Sequence, residues 1–146
     1  VIASFTVDVR PVPKGRPRLG KHGNVYTPTP TVAFENHIAV AAMQSRLPYG
    51  IAAPIATDMM FWIAQRDGDL DNYVKAVLDG LRAFFNDKQV WKLTARFADE
   101  REMQLRDGFE GVDVEVQWDE DYKPPASATS ARSVDRKRRS RRFPME

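Results

Sequence analysis

Val112, Val114, Val116 and Trp118 alternate with Asp113, Glu115 and Gln117, and a period of two commits that segment to a strand with one buried and one solvated face. Phe5, Val7 and Val9 alternate in the same way with Thr6, Asp8 and Arg10. So do Trp91, Leu93, Ala95 and Phe97 with Lys92, Thr94 and Arg96, and in residues 55–66 Ile55, Met59, Phe61 and Ile63 share one face. Half-buried strands need a covering layer. One helix over about 32–46, with Phe34, Ile38 and Ala41 at helical spacing and Thr29 or Thr31 as N-cap, supplies part of it. A second, opened by Asp69 and Asp71, buries Val74, Leu78 and Leu81. The order strand–helix–strand–helix–strand–strand predicts one α+β domain, a mixed β-sheet with two main helices packed on one face. Residues 11–24, with their Pro, Gly and basic side chains, read as a loop. Residues 98–110 are too polar to assign, and no internal repeat is visible.

With 146 residues the chain has room for one such domain, placed at 1–122. Lys123-Pro124-Pro125-Ala126-Ser127 closes it. Residues 123–146 hold eight Lys/Arg against two Asp/Glu, so this tail carries +6, while the body holds 14 basic and 18 acidic residues. The tail has almost nothing to bury and is expected to be disordered. An acidic body with a basic tail points to nucleic acid reached through local patches rather than through mean charge. The chain lacks cysteine, which excludes disulfides and thiolate metal sites, and it has two histidines, too few for a histidine-rich zinc site. Of these, His22 reads as a loop residue and His37 as a structural one. Trp62, Trp91 and Trp118 lie in strands and read as core or dimer interface. No apolar run approaches the ~20 residues of a membrane span; residues 50–64 come closest and are interrupted by Pro54 and Asp58. A cytoplasmic protein without a membrane partner is the expectation.

The chemistry concentrates in Asp69-Leu70-Asp71-Asn72, with Lys75 one turn later and Asp87 beyond the helix. A single Asp at a helix start is ordinary capping. Here three capping-type residues crowd one turn, and Asp87 follows a helix C-terminus, where the dipole gives an anion nothing. Asp69 and Asp71, two apart, point the same way from an extended segment. Asp87 is harder to bring in. A helix ending near Ala83 places its far end ~18 Å from Asp71, and four residues recover at most ~14 Å. Either the helix stops earlier, near Gly80, or Asp87 serves the site in another way. Carboxylates ~4 Å apart repel by about 4 kcal/mol per pair at an effective dielectric of 20, so a converged trio requires proton sharing or a cation. Hard oxygen donors suit Mg²⁺, which completes its octahedron with substrate phosphate oxygens. Lys14, Arg16, Arg18 and Lys21 in the first loop are the expected phosphate contacts.

These residues resemble the RusA family of Holliday junction resolvases. The family pattern D-[LI]-D-N-x-x-K-x-x-x-D followed by D-D-x-Q-V appears as Asp69-Leu70-Asp71-Asn72-Tyr73-Val74-Lys75, Asp79 and Asn86-Asp87-Lys88-Gln89-Val90. Pro11-Val12-Pro13-Lys14-Gly15-Arg16-Pro17-Arg18 and Tyr26-Thr27-Pro28 match the N-terminal pattern of phage-type members. The resemblance spans residues 5 to about 118. It implies a homodimeric, Mg²⁺-dependent endonuclease (Mn²⁺ able to substitute) in a bacterial or phage-infected cell. Such an enzyme nicks branched DNA symmetrically and leaves 5′-phosphate and 3′-hydroxyl ends. By this likeness Asp69, Asp71 and Asp87 are catalytic metal ligands, Lys75 is the catalytic lysine, and Asn72 is a DNA contact. The chain departs from the pattern in three places. Asn86 replaces the first Asp of the D-D pair, the connection from Asp79 to Asp87 is short, and Gly68 stands where some members have Arg. A non-cleaving DNA-binding module of the same fold and a less selective flap or branched-DNA nuclease are the competing readings.

Overall fold

A computed structural model describes residues 1–15, 18–26 and 28–125. Its elements in chain order begin with β1 (Ile2–Val7), β2 (Arg18–Leu19), β3 (Val25–Tyr26), α1 (Thr29–Gln44) and β4 (Ile55–Trp62). There follow α2 (Leu70–Gly80), a 3₁₀ turn (Asp87–Gln89), β5 (Val90–Phe97), α3 (Glu100–Leu105) and β6 (Gly111–Gln117). Four strands form one sheet in the order β1-β6-β4-β5. β6 runs antiparallel to both β1 and β4, whereas β5 runs parallel to β4. A parallel neighbour requires a crossover, and α2 is that crossover. The α+β expectation therefore holds, with a mixed sheet as its frame.

The alternation sorts the two faces. Ala3, Phe5 and Val7 of β1, Val112, Val114 and Val116 of β6, and Ile55, Met59 and Phe61 of β4 are buried in a single core with Phe34 and Ile38 of α1 and Val74 and Val77 of α2. Ser4, Thr6, Asp58, Asp113 and Glu115 line a depression on the other face. α1 packs on β1 and on α2, and α2 on β5. The two helices meet closely at Gly80: a Cβ there lies 2.8 Å from Ile38 Cβ and 2.9 Å from the Glu35 carbonyl oxygen. Backbone does not yield, so Gly80→Ala is expected to destabilise by roughly 1–3 kcal/mol despite alanine's better helix propensity. Thermal unfolding of that variant is the check, and an unchanged or raised Tm contradicts the close approach.

The sequence reading shifts in three places. Pro28, without a side-chain cap bond, takes the N-cap position of α1, and Thr29 and Thr31 lie inside the helix. Pro30 occupies the first turn, where its missing N–H costs nothing. The segment expected to be loop carries the small β2–β3 hairpin, paired Arg18↔Tyr26 and Leu19↔Val25. Residues 98–110 contain α3, started by a capping box in which Asp99 accepts from Glu102 N and Glu102 from Asp99 N. That D-x-x-E signal was readable. The tail 126–146, with its expected disorder, lies outside the described residues, as do Arg16, Pro17 and Thr27.

Candidate active site

Asp69 is the N-cap residue of α2 in extended backbone (φ −79°, ψ 154°), yet its side chain makes no capping hydrogen bond. The first turn is closed instead by the Asp69 carbonyl, which accepts from Asn72 N and Tyr73 N. Capping therefore does not account for this carboxylate. Asp71 lies in the same first turn, where the helix dipole favours an anion. Lys75 Nζ stands 4.0 Å from Asp71 Oδ2 across one helical turn, both side chains more than 60% exposed, so the pair stays open to solvent and to a ligand. These three groups, Asp69, Asp71 and Lys75, share the N-terminal end of α2.

Tyr73 fixes where that end lies. Its ring is fully buried, tilted on Phe61 at 5.6 Å and edge-on to Phe97 at 5.4 Å. Its hydroxyl accepts from Asp67 N at 2.9 Å. Phe61 and Phe97 are register partners at the C-terminal ends of β4 and β5. The loop that delivers Asp69 is held from the other side as well. Arg10 donates to the Gln65 carbonyl and to Asp67 Oδ2, Ala64 N donates to Glu110, and Lys14 N donates to the Asn72 carbonyl. Two carboxylates and an ammonium are thus presented at the end of a parallel strand pair, where α/β sheets commonly bind ligands.

Asp87 stands at the other end. α2 stops at Gly80, as a short route to Asp87 requires, but the chain does not turn back. Gly50 N and Ile51 N donate to the Ala83 and Phe84 carbonyls. Gln89 Nε2 donates to the carbonyls of Ile51 and Ala53. Val90 then pairs with Ile55, the first residue of β4. Asp87 therefore opens the 3₁₀ turn at the N-terminal end of the strand pair and is exposed to solvent. The 11 residues of α2 cover ~16 Å, and the eight of β4 about 25 Å, between it and Asp69. Asn86 has its own job there: its side chain accepts from Lys88 N while Gln89 Oε1 accepts from Asn86 N. Among the described residues no group of three His, Asp or Glu is placed to hold a metal ion. One chain thus brings Asp69 and Asp71 together and keeps Asp87 apart. The pair alone fits a Mg²⁺ that takes one or two protein carboxylates and draws its other ligands from phosphate and water.

The expected phosphate contacts fall into different settings. Lys21 is exposed in the turn of the β2–β3 hairpin. Arg18 contributes backbone to β2, and Arg16 lies outside the described residues. Lys14 is committed elsewhere: its Nζ is 3.0 Å from Glu35 Oε1 and 2.7 Å from Asp79 Oδ2, joining α1 to α2. Burial works against its charge, but hydrogen bonds to Asp79 and Glu35 outweigh that and hold the ammonium above its ordinary pKa. Asn72, half-buried in the first turn of α2, anchors the Lys14 backbone through its carbonyl.

A family model described as Endodeoxyribonuclease RusA matches residues 8–117, a span that contains Asp69, Asp71, Lys75 and Asp87. A search among curated proteins found no match to the sequence.

Proposed function

The chain belongs to the RusA endodeoxyribonuclease family, and from that premise we propose that it resolves four-way DNA junctions as a Mg²⁺-dependent homodimer with sites shared between subunits. Endonucleolytic hydrolysis of DNA at Holliday junctions is the activity of the family. The metal, the subunit arrangement and the paired nicks are our reading.

One observation carries it: Asp87 and the Asp69–Asp71 pair occupy opposite ends of a parallel strand pair whose outer edge is open. β5 is an edge strand, and on it Trp91 is 70% and Leu93 40% exposed. An open edge with apolar side chains is a template for strand addition, and the commonest closed assembly is an isologous two-fold dimer. A two-fold axis normal to the sheet, midway between Leu93 and the same residue of its copy, would pair β5 with that copy in antiparallel fashion and keep both helical layers on one side. In that register the Val90 end of one strand meets the Phe97 end of the other, where Tyr73 packs on Phe97. The partner subunit's Asp87 then approaches Asp69 and Asp71. Two such composite sites arise, related by the same axis that relates equivalent strands of a four-way junction.

In this arrangement Asp69, Asp71 and the partner's Asp87 would hold the metal, which supplies an activated water and charge neutralisation at the scissile phosphate. Lys75, four residues from Asp71 and exposed, stabilises the negative charge that grows on the phosphate oxygens in the transition state. In-line displacement leaves 5′-phosphate and 3′-hydroxyl ends. Lys21 and the arginines of the first loop and of the tail add sequence-independent, salt-sensitive affinity.

The test is cleavage of a synthetic four-way junction beside linear duplex of the same sequence, with and without Mg²⁺. Metal-dependent paired nicks on the junction and little cutting of the duplex are the expected result. Tight junction binding with no cut identifies a non-cleaving module, and equal cutting of both substrates identifies a general nuclease.

A further inference from the structure

Arg66 lies three residues before Asp69, outside the motif that the sequence singles out. Its guanidinium carbon is 4.1 Å from the centroid of the Phe97 ring, and among the described residues it forms no ion pair. The arginines around it are spent. Arg10 holds Asp67 and Glu110, Arg96 grips Glu102 with two nitrogens, and Arg106 faces Asp8 and Asp113. The backbone on either side of Arg66 is tied down, by the Arg10 bond to the Gln65 carbonyl and by Asp67 N on Tyr73 Oη. A guanidinium seated over a ring face still has N–H groups free for a bidentate acceptor.

Phe97 is the last residue of the edge strand β5 and packs on Tyr73, so this fork is held at the same end of the strand pair as Asp69 and Asp71. We propose that Arg66 is a phosphate clamp of the nuclease site, making a bidentate contact with a backbone phosphate of the branched strand next to the one that is cut. This rests on the nuclease reading above. Phosphate is the anion the geometry favours, because the neighbouring carboxylates Asp67, Asp69 and Asp71 leave the fork unpaired and a cleaved strand supplies acceptors on both sides of the break.

Two measurements on the full chain separate this clamp from a lid over Phe97. In the first, junction binding is titrated against salt without divalent metal. Arg66→Gln and Arg66→Met, the latter still covering the ring, are expected to lower the slope of log K against log salt by about 0.7–0.9, one phosphate's worth. In the second, Arg66→Lys keeps the charge and loses the fork. Its salt slope stays at the wild-type value while its single-turnover cleavage falls about 10²-fold through misplacement of the strand. Wild-type slopes in both Arg66→Gln and Arg66→Met overturn the clamp, and so does full cleavage by Arg66→Lys. If Arg66→Gln fails to fold, Arg66→Met and Arg66→Lys decide. A wild-type protein that binds junctions but never cuts sinks the nuclease reading alone, since the slopes still judge Arg66. One that binds no junction sinks both.

Discussion

Asp71→Asn is expected to lower junction cleavage by at least about 10²–10³-fold, the effect of removing one electrostatic stabiliser from a site built to hold charge. Binding and fold should survive. The side chain is more than two-thirds exposed, it makes no hydrogen bond that the fold uses among the described residues, and Asn suits a first helical turn nearly as well as Asp. The favourable interaction of the carboxylate with the helix dipole is worth about 0.3–1 kcal/mol, and its removal is partly offset by weaker repulsion from Asp69. Single-turnover cleavage and thermal unfolding, measured together, check this. A parallel fall in Tm and activity reduces the effect to misfolding, and near-normal cleavage removes Asp71 from the chemistry.

Lys14→Met is the second large effect, and it falls on stability. Glu35 is 6% exposed and faces the Lys14 ammonium at 3.0 Å. Removing one partner of a buried pair strands the other charge, at a cost of about 3–5 kcal/mol. The value expected here is near the lower end, because Lys14 keeps some contact with water and Asp79 is partly exposed. Lys14 itself sets the pH dependence. Its raised pKa means that the stability it contributes is complete at neutral pH and is lost only as alkaline pH passes that value. Denaturant unfolding across pH is the measurement. Lys14→Met/Glu35→Gln, with no stranded charge, should be more stable than Lys14→Met, and a pH-independent deficit contradicts the account.

Periodicity alone made the strands legible, because each buries one face: Phe5 and Val7, Met59 and Phe61, Val112 and Val114 all fall on the core side. The same rule fails at β5, where a register shift sets Val90 rather than Trp91 opposite Ile55, and where Trp91 and Leu93 remain exposed. Alternation reports a shared face and says nothing of what covers it. Helix ends were read less well. Thr29 and Thr31 looked like caps, while Pro28 starts the helix without one.

The site was legible as chemistry and illegible as geometry. Asp69, Asp71 and Lys75 stand together because four residues of helix put them there. Asp87 does not, because β5 runs parallel to β4, and strand direction is decided by tertiary pairing rather than by any local signal. Lys14 looked like a free phosphate contact because its partners, Glu35 and Asp79, are far along the chain. Arg66 was missed since nothing in the sequence announces that Phe97 lies beneath it.

That Asp87 acts across a subunit boundary is tested most directly by mixing two inactive proteins. Asp71→Asn and Asp87→Asn are each expected to abolish cleavage by their own dimers. When the two are dissociated, mixed and reassembled, half of random dimers are mixed, and each contains one site with Asp69, Asp71 and the partner's Asp87 intact. Roughly a quarter of the wild-type sites should return, as single nicks rather than paired ones. If the mixture stays as dead as its parents while subunit exchange is demonstrated, the three carboxylates do not meet across the dimer.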